Sequence, residues 1–234
     1  MSNSKWIAAQ STWSAALSFD WSLIERSRAA LMDGLWLTFQ LSIVAGALSL
    51  VLGLALAVVR LKARGILGAA LAAYVELMRN TPLLVTLYLV YFGLPMVGLL
   101  IPTFASVVLV LVMQHTVFVS EIMRGGFLAV PRSQLEAARA LGMRPFAIFR
   151  IVRFPQAFAA SVPALISALI ILVHDTSLGA AISLVDLTMT AKVISQRTAS
   201  SFEPFVAIAV CYSAISWVLS RIGSAFERRA AILR

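Results

Sequence analysis

Residues 80–120 contain no Asp, Glu, Lys or Arg. Soluble domains carry about a quarter of their residues as charges, so a run of this length without one folds where water is largely excluded. A helix that crosses a bilayer needs about 20 mostly apolar residues, and this run is too long for one. It is punctuated by Gly93, Pro95, Gly98 and Pro102, which favour turns. Two spans are therefore expected, at about 83–100 and 103–123. A charge-free run at 35–59 supplies one span before them, and 158–173 and 205–221 supply two after. The expectation is an all-α membrane protein with about five transmembrane helices. The apolar stretch 178–189 is too short to cross and reads as re-entrant or interfacial. The mixed-charge stretch 19–30 suits the membrane surface. Overall composition agrees, with 61% hydrophobic and 12% charged residues.

The net charge of +9 could signal nucleic-acid binding, but its distribution points elsewhere. Fourteen of the 19 Lys and Arg residues fall in the first-to-second connection, the third-to-fourth connection and the C-terminal tail. The positive-inside rule puts that side in the cytoplasm, with the N-terminus outside and the C-terminus inside. No nucleic-acid partner is expected. The lone Cys211 excludes an internal disulfide and a Cys-rich metal site, and no metal ligand set is predicted. The N-terminus lacks a continuous apolar core, so a cleaved signal peptide is not expected.

The third-to-fourth connection holds the most informative polar segment. Residues 133–141 read as a helix. Ser133 is placed to cap it, with Glu136 three residues on completing a capping box. Gly142 follows where a C-terminal glycine belongs, and Pro145 prevents simple continuation. Glu136, Ala137, Ala138, then Gly142, then Val152-Arg153-Phe154-Pro155 resemble the EAA motif of importer-type ABC-transporter permeases. That motif has Ile and Leu where this chain has Val152 and Phe154. Residues 34–61, 74–95 and 175–187 resemble the polar amino-acid branch of the same family, so the likeness covers about 34–229.

The resemblance implies the importer-type ABC permease fold. It implies a loop, at about 125–155, whose helix couples to a separate ATP-binding subunit through Glu136, Ala137, Ala138, Gly142, Arg144 and Pro155. Residues 1–33 would form an outer or interfacial segment, 34–229 the permease domain and 230–234 a cytoplasmic tail. Two ATP-binding subunits, a second permease chain and an extracytoplasmic solute-binding protein would complete the assembly in a bacterial inner membrane. ATP and Mg would sit on the ATP-binding subunits. The chain has no G-x-x-x-x-G-K-[ST] phosphate loop, and it is read as a transport subunit rather than an enzyme.

Ionisable groups at membrane depth are costly and mark functional positions. Gln114, His115 and Glu121 lie along the third span and are candidates for the substrate pathway, although Glu121, near the basic end, is also expected to serve in ion pairing. His174, Asp175, Thr176 and Ser177 stand where the fourth span gives way to the short apolar segment. They could present polar groups to an amino-acid substrate, or Asp175 and Thr176 could cap that short segment. The family often has Lys where this chain has His174. Asn80 or Thr81 is expected to cap the second span, with Pro82 in its first turn. Gly46 and Gly53 read as packing positions. The cargo is a polar amino acid, with an opine or other amino-acid derivative as the alternative. An intramembrane enzyme and a non-transporting ATPase anchor are more distant readings.

Overall fold

The computed structural model describes residues 19–200 and 202–231, and in the last helix side chains as far as Phe226. The expected outer segment as far as residue 18, and the tail beyond 231, lie outside the described residues. Described elements are helical throughout: α1 (Trp21–Arg26), α2 (Arg28–Arg60), α3 (Gly65–Asn80), α4 (Leu83–Met96), α5 (Thr103–Ala129), α6 (Arg132–Ala140), α7 (Pro145–Ile182), α8 (Leu187–Thr198) and α9 (Phe202–Ala231). Four of them, α2, α5, α7 and α9, are long and apolar enough to cross a membrane. The pair α3 and α4, bent by 106°, forms a fifth, broken unit.

α5 is the axis of the bundle, lying against both α2 and α7. The inward face of α2 is a stripe of mostly small residues at helical spacing: Gly34, Thr38, Leu41, Ala45, Ser49, Gly53 and Ala57, all buried, with Gly34 and Thr38 meeting α8 and Gly53 meeting α5. Apolar helices in lipid gain little from burying oil against oil, so close backbone approach becomes the source of packing energy. Gly53 shows how close: a β-carbon there would lie 2.5 Å from Val119 and 2.9 Å from the Thr116 carbonyl. Gly46 is looser, with 3.4 Å to Leu169. One core cluster gathers Leu41, Ala45, Leu87, Val110, Leu111 and Leu172. A second, toward the other end of α5, gathers Ala57, Val119, Met123, Phe127 and Ala157.

The spans depart from their expected limits: α5 runs on to Ala129 and α9 extends from Phe202 to Ala231. α2 starts at Arg28 rather than near residue 35, because flanking charges at a helix end can remain in the polar layer. The second unit does not run 83–100. It stops at Met96 and reaches back through the bend to Gly65, so the basic connection at 60–79 is largely helix. At about 1.5 Å per residue, 83–96 alone spans only ~21 Å, less than the ~30 Å hydrocarbon core. α7 is 38 residues long and begins at Pro145, well before 158.

Two widened π turns interrupt the helices, at Leu89–Gly93 in α4 and Ile148–Arg153 in α7. Each ends two residues before a proline, Pro95 and Pro155. Proline lacks an N–H and its ring collides with the carbonyl four residues back; a widened turn moves that carbonyl aside. α7 then tightens to a 3₁₀ end at Thr176–Ile182 and stops at Ser183, whose φ is 61°. The short apolar segment 178–189 thus packs inside the bundle as the end of one helix and the start of another, with Gly179, Ala180, Ile182 and Leu187 buried.

Candidate coupling loop and polar pathway

Val130 and Pro131 are extended and turn the chain out of α5 into α6. The expected capping box is not formed. α6 begins at Arg132, after Pro131, so Ser133 is already inside the first turn and makes no capping bond. The far end follows expectation. Gly142 has φ 74°; its N–H donates to the Arg139 carbonyl at 2.9 Å and the Met143 N–H to the Ala138 carbonyl at 3.2 Å. These two bonds are the Schellman closure. Arg144 is extended, as a residue before proline must be, and Pro145 opens α7 rather than merely ending α6.

Glu136, Ala137, Arg144 and Pro155 are exposed, with Leu141 and Phe146 beside them at 82% and 72% exposure. Ala138 is 5% exposed and faces inward, so its small side chain serves to seat α6 on α7. The loop therefore offers a charged, apolar-tipped outer face on a helix fixed at both ends.

Glu121 sits at the same end of the bundle. It pairs with Arg60 of α2 and, at 2.9 Å, with Arg124 one turn along α5. Both carboxylate oxygens are engaged by guanidinium groups, so Glu121 joins α2 to α5 and is set apart from the other polar residues of the third span. In the sequence Arg60 reads only as a topological charge.

Gln114 lies at the bend between α3 and α4. The last carbonyls of a helix have no partner within it. Here the Gln114 amide donates to the Met78 carbonyl at 3.2 Å and the Thr81 carbonyl at 3.0 Å. Asn80 donates to the Glu76 carbonyl and Thr81 to the Leu77 carbonyl, each at 2.8 Å. Asn80 and Thr81 thus close α3 rather than starting α4, which is preceded by Pro82 without a side-chain cap. Broken backbone at membrane depth persists only when satisfied in this way.

His115 and Asp175 are brought together. The His115 Nε2 lies 3.0 Å from Asp175 Oδ2, joining α5 to α7, with the histidine nearly fully buried and the carboxylate partly open. Asp175 makes no capping bond. Thr176 is buried and donates to the Val173 carbonyl at 2.6 Å, so neither residue caps the segment after it. His174 turns away to Ser216 of α9, at 2.9 Å. Ser177 is half-buried in the 3₁₀ turn. The four consecutive polar residues therefore diverge, and only Asp175 meets a polar residue of the third span.

A further polar group escapes the sequence reading. The Leu187 N–H donates to Thr38 Oγ1 at 3.1 Å, and Thr188 and Tyr212 share a hydrogen bond at 3.1 Å, linking α8 to α2 and α9. Asp186 is fully buried beside them; its Oδ1 accepts from the Met189 N–H at 2.7 Å and its Oδ2 has no partner. Burial pushes this carboxyl up to about 6, against the lowering effect of that N–H and of Lys192. An acidic residue in an apolar segment is the available signal. Elsewhere, a groove of about 330 Å³ lined by Leu50, Leu54, Met123, Phe158 and Phe226 is apolar and contains none of these polar residues.

Residues 49–232 match the family described as the binding-protein-dependent transport system inner membrane component. The nopaline transport system permease protein of Agrobacterium fabrum is 34% identical, over 87% of this chain and 88% of its own length. The glutamate/aspartate import permease of Escherichia coli O157:H7 is 34% identical over 91% and 99%. The glutamine transport system permease of Escherichia coli K12 is 32% identical over 93% and 100%. Among solved structures, an amino acid ABC transporter crystallised with histidines matches with TM-score 0.85 and 33% identity, covering 91% of this chain and all of that one. A methionine ABC transporter in an inward-facing conformation shares the fold at TM-score 0.69 and 24% identity. With its helical bundle, its broken second unit and its outer-facing loop helix, the chain belongs to the binding-protein-dependent transport system inner membrane component family, as a multi-pass permease.

Proposed function

We propose that the chain is the permease subunit of an ABC importer in a bacterial cytoplasmic membrane, carrying a polar amino acid inward. The observation that carries this reading is α6: an exposed helix, closed by Gly142 and seated through Ala138, between the two helices that traverse the bundle. Such a helix can transmit the closing of a docked ATP-binding subunit to α5 and α7. ATP and Mg belong to two such subunits. A second permease chain, identical or similar, completes the pathway, and a solute-binding protein delivers cargo at the opposite face. The loop side is cytoplasmic, in keeping with its basic residues.

His115 and Asp175 are the pair best placed to meet cargo, since Asp175 remains partly open while held from behind by histidine. An amino acid offers an ammonium group to such a carboxylate. An opine or another amino-acid derivative is the second reading, supported by the similarity to the nopaline permease.

ATP-dependent uptake by proteoliposomes containing the whole complex tests both. Labelled glutamate, glutamine, arginine and nopaline would be compared, with Glu136→Ala/Gly142→Asp as the uncoupled control. Uptake of one class, abolished in a control that still assembles, is expected. Assembly without uptake of any of them would contradict the proposal.

A further inference from the structure

Arg153 is the last residue of the widened turn in α7 and is half-buried, whereas Arg132, Arg139, Arg144 and Arg150 are exposed. Its Nε and Nη2 donate to the Phe127 carbonyl at 3.4 and 3.3 Å, and its guanidinium lies 5.6 Å from the centre of the Phe127 ring. Phe127 stands in the last turn of α5, where carbonyls lack partners within the helix. Its ring is 1% exposed and packs 5.7 Å from Phe149, inside the same widened turn.

Next to it, Gly126 allows the two helices to touch. A β-carbon there would lie 2.2 Å from Ser161 Oγ and 2.6 Å from the Ala157 carbonyl. The end of α5 and the start of α7 are therefore joined by direct backbone contact and by one guanidinium. A π turn takes up an extra residue, and one residue of an α-helix is about 100° of rotation. The widened turn thus sets the direction in which Arg153 leaves α7.

We propose that Arg153 is a positioning residue for coupling: it locks together the two helices between which the loop is strung. Displacement of α6 then moves α5 and α7 as one body instead of deforming the loop. The proposal rests on the reading of α6 as the docking helix. Arg153 itself is turned inward and acts through Phe127, so it is distinct from the exposed residues that would meet a partner.

The test is uptake of labelled glutamate, glutamine, arginine and nopaline per ATP hydrolysed, by the reconstituted complex carrying Arg153→Gln or Arg153→Lys. Arg153→Gln is expected to assemble and to keep its unstimulated ATP hydrolysis. Its uptake per ATP should fall about fivefold, and Arg153→Lys should recover part of the loss. Phe127→Leu, which keeps the carbonyl and removes the ring, should lose less than Arg153→Gln. An unchanged uptake ratio in Arg153→Gln would overturn the proposal, as would failure of both arginine variants to assemble, which would assign the residue to folding. Equal loss in Phe127→Leu would overturn the carbonyl latch. A wild-type complex that takes up none of the four would overturn the reading of the loop, and the inference with it.

Discussion

At Asp186 burial and charge are in direct conflict. Its carboxyl, pushed up to about 6 by burial, binds a proton more tightly in the folded protein than in the unfolded chain, where the value is near 4. The cost of burying the charge is therefore absent below about pH 4, grows as pH rises toward 6, and is complete above it. Asparagine would keep an acceptor for the Met189 N–H while removing the charge. Asp186→Asn is accordingly expected to raise thermal stability at pH 8 by up to about 3 kcal/mol, with the gain shrinking toward pH 4. Thermal unfolding across that range checks it, and a variant less stable than wild type at pH 8 would contradict it. The burial of Asp186 is hidden in the sequence because its hydrogen-bond partners are local, whereas a surface that covers it, at Gly34 of α2, comes from a distant helix. Glu121 is legible as an ion-pairing residue because Arg124 is one turn away, but Arg60, from α2, is not.

Between elements, local chemistry is readable and register is not. Gly142 is legible as a helix end because a C-terminal glycine leaves its mark within a few residues. The capping box fails because Pro131 starts α6 earlier than Ser133 allows. The bend between α3 and α4 is the largest departure: hydropathy reports apolar length, whereas the break depends on who satisfies the freed carbonyls. Gln114, thirty-odd positions away, does so. Gln114→Leu is expected to lower stability by about 1–3 kcal/mol by leaving the Met78 and Thr81 carbonyls buried without that donor. Thermal unfolding of the purified protein would measure it, and an unchanged midpoint would show that the bend is held by Asn80 and Thr81 alone. The two π turns leave only their prolines as a sequence signal, and a proline alone does not distinguish a widened turn from a kink.

For the molecule as a whole, charge asymmetry, a handful of apolar runs and four family-like stretches in order, the loop motif with residues 34–61, 74–95 and 175–187, indicate a helical permease of this family. The pairing of His115 with Asp175 is not legible, since it depends on how α5 crosses α7. In the proposed importer the loop helix faces an ATP-binding subunit while the α4–α5 turn faces the opposite side. Met96, 88% exposed at the end of α4, and Ala137, exposed on α6, lie toward opposite ends of α5. Cys211 is the sole native thiol, so Cys211→Ser gives a clean background for single cysteines at either position. Thiol cross-linking in the transport-competent complex is the decisive measurement. Ala137→Cys is predicted to join the ATP-binding subunit and Met96→Cys is not. Cross-linking to that subunit from Met96→Cys, or from neither position, would contradict the account.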